Sequence, residues 1–271
     1  MPYIEKSPAK RHILLLVGVF VLLYAVHLTV HELRRSEAMQ GAIAAEMLDR
    51  GNPLATTVQG AQLRSFPFPV YPWLVSAISF LQDPNEWTTR LPSVLAALGL
   101  ALLAAGTAKR SGDNLAALIS ALVVISSIAM LRHGARADTD TLFALFLSAA
   151  WLFWFAQGTR KKRWALAWTG ALALVLAATF TSGIKAFAYF YLPLFLLRRP
   201  IQVWRRLIMP SHIIALAVAV GGILLWHLAV PQQAIVTWDE LARGTVPAGT
   251  TSYLKSLVVF PFESLIFLLP W

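Results

Sequence analysis

Apolar residues in this chain fall in long, nearly unbroken runs separated by short clusters of charge. Runs of spanning length cover 13–30, 91–108, 115–131, 142–156, 164–181 and 213–230, and shorter ones cover 186–197 and 257–271. A helix needs about 20 consecutive apolar residues to cross the hydrocarbon layer, so the pattern predicts about seven crossings. The run 70–81 is too short to cross, and it is introduced by Pro67, Pro69, Tyr71, Pro72 and Trp73, which predicts an interfacial or re-entrant helix. The expected fold class is an all-α polytopic transmembrane helical bundle with juxtamembrane helices on its outer face. It forms a single transmembrane domain over residues 1–271. The run from Ile13 lacks a small-residue cleavage site before charged sequence, so it is expected to stay as the first helix.

Charge then orients the bundle. If the first helix leads out of the cytoplasm, the inner loops hold Lys6, Lys10, Arg11, Lys109, Arg110, Arg160, Lys161, Lys162, Arg163, Arg198, Arg199, Arg205 and Arg206. Of the 13 carboxylates, only Glu5 and Asp113 share that side. Counting 70–81 as a crossing would place 160–163 outside, against the positive-inside rule. The expected location is a plasma or inner membrane, multi-pass, with a cytoplasmic N-terminus. Composition agrees: the chain is 58% apolar and 13% charged, too little polar surface for a soluble domain of this length. The net charge of +10 therefore reads as an orientation signal, not as a nucleic-acid footprint. With no cysteine there is neither a disulfide framework nor thiolate chemistry.

Two outer segments carry candidate chemistry. In the first outer loop, 31–69, Glu37, Ala38, Ile43, Met47 and Leu48 form a rough apolar stripe, ended by Asp49-Arg50-Gly51-Asn52-Pro53. This predicts a juxtamembrane helix followed by a loop. The second outer loop, 132–140, packs Arg132, His133, Arg136, Asp138 and Asp140 between two crossings, where such charge must face water, a partner or a substrate. Asp140 reads either as a carboxylate kept ionised by Arg136 or as the cap of the following helix. The Asp138-x-Asp140 spacing is open to a divalent cation, although such pairs are common without one. Glu37 is the right type for a general base, or else a helix-surface acid paired with Arg34 or Arg35. His31, Glu32 and His133 read first as interfacial or solvated residues. Arg64 and Lys185 are candidate phosphate ligands, with Lys185 equally able to snorkel toward the interface.

Several of these stretches resemble a known family. Glu37-Ala38 with Glu46-Met47-Leu48-Asp49-Arg50-Gly51-Asn52, then Val58-Gln59-Gly60, Phe68-Pro69-Val70-Tyr71-Pro72-Trp73-Leu74, Arg90-Leu91-Pro92-Ser93, and Arg136 with Asp140-Thr141-Leu142-Phe143 resemble, in order, the C-type membrane glycosyltransferases. The resemblance is strongest to the branch containing the lipid A aminoarabinose transferases and the protein O-mannosyltransferases. Thr181-Ser182-Gly183 and Leu269-Pro270-Trp271 fit more loosely. The resemblance implies an enzyme that moves a sugar from a polyprenyl-phosphate donor to a lipid, glycan or protein acceptor at the extracytoplasmic face. In that family an acid of the first outer loop acts as base or positions the acceptor. An acid of the second loop joins the same cavity, sometimes with a metal, and a lysine before a Pro-Pro pair meets the donor phosphate.

Carried onto this chain, the resemblance implies Glu37 and Asp140 as catalytic residues, with Arg64, Arg136, Lys185, Asp138 and Tyr71 binding substrate. Tyr71 and Trp73 would line a polyprenyl groove. The chain departs from the pattern at two places. Ser36, or His31 in another register, stands where the family has its first-loop aspartate. Pro67-Phe68-Pro69 replaces the lysine–Pro–Pro element, leaving Arg64 as the nearest base. The family is also longer, so the chain reads as its amino-terminal part or a shortened relative. These departures keep a rival open, a non-catalytic lipid-phosphate-binding relative or assembly subunit. A transporter would need ionisable groups within the spans, which are almost free of them.

Overall fold

A computed structural model describes residues 9–28, 32–33, 35–54, 56–58, 61–62, 68–81, 83–196 and 203–229. The described residues form helices α1 (Ala9–Tyr24), α2 (Arg35–Arg50), α3 (Val70–Ile78), α4 (Glu86–Ser111), α5 (Asn114–Ser126), α6 (Ile128–His133), α7 (Thr139–Trp154), α8 (Trp164–Ser182), α9 (Lys185–Leu196), α10 (Val203–Leu207) and α11 (Pro210–Ala229). A two-residue antiparallel ladder, β1 (Thr57–Val58) with β2 (Ala61–Gln62), follows α2. The protein is an all-α polytopic bundle and an integral membrane protein. Exposed Leu14, Leu22, Leu102, Val218, Leu225 and Leu228 face outward, as side chains solvated by lipid do.

Four helical stretches are long and apolar enough to cross a bilayer: Glu86–Arg110, Thr139–Arg160, Trp164–Ser182 and Pro210–Ala229. Three further predicted crossings are shorter than these four. α1 gives way after Tyr24 to a 3-10 turn over Ala25–His27. α9 has 12 residues and contains Pro193. The run 115–131 is split, because Ser127 adopts an extended backbone and its side chain caps α6 through the Met130 amide. Adjacent serines offer the backbone this alternative to the helical ladder, and hydrophobicity alone does not register it.

The helix that organises the site end is α4. Its start is fixed by a capping box: the Asn85 side chain accepts from the Trp87 and Thr88 amides, and the Thr88 hydroxyl accepts from the Asn85 amide at 2.8 Å. Pro92 lies one turn further on and cannot donate to the ladder, and beside it the Tyr71 side chain of α3 and the Asp138 backbone of the α6–α7 loop meet α4. Three apolar clusters hold the bundle. One joins α7, α8, α9 and α11 around Trp154, Trp168 and Phe190; a second joins α1, α4 and α5 around Tyr24 and Ile125; the third, Ala44, Tyr71, Val75, Ala96, Ala137 and Leu142, packs α2 and α3 against α4 and α7. This third cluster lies directly beneath the candidate site.

Candidate active site

The two acid-bearing segments meet. Glu37, in the first turn of α2, is buried and faces Arg90 of α4 in a two-pronged ion pair: Arg90 Nε donates to Oε1 at 3.1 Å and Nη2 to Oε2 at 3.3 Å. The same guanidinium donates through Nη1 to the Leu28 carbonyl and through Nη2 to the Glu32 carbonyl. Glu37 Oε1 also accepts from the Ala137 amide at 2.9 Å, across 100 positions of sequence. One buried pair therefore ties the end of α1, α2, α4 and the loop before α7. Breaking such a pair strands an uncompensated charge, which costs about 3–5 kcal/mol. Arg90, 53 positions away, is thus a partner of Glu37 that local spacing does not offer, while Arg34 and the Arg35 side chain lie outside the described residues.

A second buried chain fixes the next residue along the loop. Ser93, one turn after Arg90 on α4, donates to the Asp138 carbonyl at 2.9 Å and accepts from the Asp138 amide at 3.1 Å. Behind it, the Tyr71 hydroxyl lies 2.9 Å from both Ser93 Oγ and the Thr89 carbonyl. Tyr71 is fully buried, and burial pushes its phenol up from the ordinary value of 10.0. Tyr71 therefore supports the site from behind, with its hydroxyl engaged inside the protein. Trp73 is the half-buried neighbour, with its indole donating to the Pro53 carbonyl and its ring edge-on to Trp226. Gly134 lets the loop close down: a side chain there would meet the Met130 carbonyl at 2.6 Å and the Tyr24 ring at 2.8 Å.

At the mouth of this support stand His133, Asp138, Asp140 and Lys185. Asp138 is the cap of α7, its Oδ1 accepting from the Asp140 amide, so Asp138 takes the capping role that the sequence left open for Asp140. Its Oδ2 lies 2.6 Å from His133 Nδ1. Burial alone would raise the Asp138 pKa, but the His133 bond, the Asp140 amide and the nearby Arg136 charge outweigh it and hold the carboxyl below its ordinary 3.8. His133 is raised above its ordinary 6.5, chiefly by the bond to Asp138 and against the opposing effect of burial. Asp140 projects exposed from the first turn of α7. Partial burial, and then the Asp138 charge, raise the Asp140 carboxyl above its ordinary 3.8 against the opposing charges of Lys185 and His133. Lys185 opens α9 just after Gly183, whose φ of +96° ends α8. Its ammonium sits 5.3 Å from the Phe143 ring centre.

His133, Asp138 and Asp140 each bring one ligand-type atom within 4.8 Å of the others. Both Asp138 oxygens are already engaged by His133 and by the Asp140 amide. His133 and Asp138 satisfy one another, while the exposed Asp140 carboxylate leaves the three groups able to hold a divalent cation, as the Asp-x-Asp spacing allows. Arg64 and His31 lie outside the described residues. Arg90 and Ser93, which carry the supporting network, were not among the sequence candidates. The signal for Arg90 is an arginine entering an apolar run, which must find a buried partner.

A helical membrane bundle with paired carboxylates and cations gathered at one end defines a class of integral membrane protein whose site sits at the mouth of its helices. The chain belongs to the dolichyl-phosphate-mannose-protein mannosyltransferase family, whose sequence profile matches residues 65–232. Its fold is that of ArnT from Cupriavidus metallidurans. The crystal structure of that protein bound to undecaprenyl phosphate superposes with a TM-score of 0.72 at 20% identity, covering 96% of this chain and 49% of that one. The apo structure gives 0.73 at 20% identity, covering 98% and 49%. This chain thus spans about half the length of the solved structures it matches. No curated protein sequence matches it significantly.

Proposed function

We propose that the protein is a polyprenyl-phosphate-dependent glycosyltransferase, moving a sugar to a lipid, glycan or protein acceptor at the extracytoplasmic face, with the N-terminus in the cytoplasm. The observation that carries this reading is Asp140 exposed on the first turn of α7 with the Lys185 ammonium over Phe143, three residues further along that helix, in a chain of this family. An exposed carboxylate beside an ammonium has the two parts that sugar transfer needs. Asp140 takes the proton of the acceptor hydroxyl as its oxygen bonds to the anomeric carbon. The bond from that carbon to the phosphate oxygen breaks, and the polyprenyl phosphate leaves with the electron pair, met by Lys185 and Arg136. Glu37, buried and held by Arg90 and the Ala137 amide, serves to position the loop and is poorly placed to meet an acceptor.

ArnT carries undecaprenyl phosphate in one of its structures, which makes polyprenyl phosphates the first donors to try. The test is transfer in proteoliposomes from labelled polyprenyl-phosphate sugars to candidate acceptors. Asp140→Asn should lower transfer by about 10²–10⁴-fold, the usual contribution of a positioned acid–base group. Full activity in that variant would remove Asp140 from the mechanism. A second reading has its own support: Ser36 stands at the first-loop aspartate position and Phe66, not a lysine, stands directly before Pro67. On that reading the protein binds lipid phosphate without turnover, and the wild type would retain polyprenyl phosphate while transferring nothing.

A further inference from the structure

The end of the bundle opposite the site has a different composition. α7 and its continuation run through Thr139–Arg160, 22 residues, which separates the two ends by about 33 Å at 1.5 Å per residue. Between Asp140 and Asp239 the sequence contains no Asp or Glu, yet Arg160, Lys161, Lys162, Arg163, Arg205 and Arg206 all gather at this far end. Among the described residues, none of these six forms a salt bridge. Topology alone accounts for positive charge here, but not for the way one of these bases is held.

Arg206 is built into the fold. Its guanidinium lies 4.4 Å from the centre of the Trp164 ring. Trp164 in turn closes on Gly158 within the π-helical turn Phe155–Arg160, where a side chain on the glycine would meet the indole at 2.6 Å. Among the described residues, Arg206 Nε is buried without a hydrogen-bond partner, and Nη1 makes a long 3.9 Å approach to Met209 Sδ. The turn before Trp164 holds Lys162 in the left-handed region, at φ 56°, a conformation that lysine adopts only at a cost. On the other side, α10 exposes Trp204 and is followed by Ile208, which is 74% exposed, as a helix lying at the lipid interface does. A stacked, half-buried guanidinium flanked by bases outside any salt bridge among the described residues, and by an interfacial tryptophan, is the arrangement that recognises phosphate at a headgroup.

We propose that Arg206 on Trp164, with the 160–163 turn and Arg205, forms a binding site for the phosphodiester headgroup of an anionic phospholipid in the leaflet opposite the candidate active site. The six cations supply charge, the fixed guanidinium plane supplies selectivity for phosphate oxygens, and Trp204 with Ile208 anchors beside the acyl chains. The site needs neither the proposed sugar transfer nor a polyprenyl donor.

The test is native mass spectrometry of the full chain released from nanodiscs holding equal phosphatidylglycerol and phosphatidylcholine. The wild type should retain phosphatidylglycerol preferentially, and Arg206→Ala should reduce that retention about fivefold. Removing Lys109 and Arg110 to alanine, bases at the same end of α4, should leave it unchanged. Should Arg206→Ala not yield folded protein, Arg206→Lys keeps the charge but loses the planar stack, and retention should still fall at least about twofold. Equal retention of the two lipids, unchanged retention in Arg206→Lys, or an equal loss in the Lys109/Arg110 variant would overturn the proposal. Displacement of the lipid by excess inorganic phosphate would assign the site to free phosphate instead.

Discussion

Glu37 and Asp140 are both carboxylates at the same end of the bundle, yet their surroundings give them opposite work. Glu37 is 3% exposed and spends its oxygens on Arg90 and the Ala137 amide. Asp140 is exposed on the first turn of α7, with its charge facing Lys185 and His133. The first holds two loops together and the second is presented to whatever enters. In a site like this the catalytic-looking residue type is less informative than the number of partners it already has.

The comparison can be broken most severely at the buried pair. Arg90→Ala or Glu37→Ala should each destabilise the protein by about 3–5 kcal/mol, read as a large drop in the thermal midpoint in detergent. A double variant replacing both by neutral residues should recover part of that loss, since no charge is left stranded. A smaller effect is expected at Ser93. Its removal to alanine leaves the Asp138 amide and carbonyl without their partner in a part-buried place, worth about 1–3 kcal/mol, with Tyr71 still held by the Thr89 carbonyl.

The smallest effect is pH-dependent. Because His133 is raised above 6.5, its contribution is fully present below that value and is lost as pH rises through its folded value. Because Asp138 is lowered below 3.8, its contribution is present above that value and is lost as pH falls through its folded value. The difference in midpoint between wild type and Asp138→Asn, which keeps the helix cap, should therefore be widest between pH 3.8 and 6.5 and shrink on both sides. A difference that is flat across pH would mean that the His133–Asp138 bond carries no charge.

Much of the bundle was legible because lipid imposes a one-dimensional rule. The runs 91–108, 142–156, 164–181 and 213–230 lie within or closely match the four long apolar helices, and the short run 70–81 is indeed a short helix, α3, with a terminal 3-10 turn. The break at Ser127 was not legible, since hydropathy is blind to a side chain that caps the next helix. Site geometry was harder. Glu86 stands four residues before Arg90, so local spacing offers a pairing that the fold overrides with Glu37, 53 positions away. Tyr71 looked like a groove residue because aromatic and proline residues mark interfaces. Its hydroxyl meets the Thr89 carbonyl and Ser93 Oγ of α4, 18 and 22 positions away, contacts that only the fold brings together.

The division of labour between the two carboxylates is tested most directly by measuring thermal midpoint and sugar transfer on Glu37→Gln and Asp140→Asn in parallel. The account predicts a crossed result: Glu37→Gln lowers the midpoint by several degrees and keeps measurable transfer in the protein that remains folded. Asp140→Asn keeps the midpoint and loses transfer by about 10²–10⁴-fold. Abolished transfer at an unchanged midpoint in Glu37→Gln would contradict it.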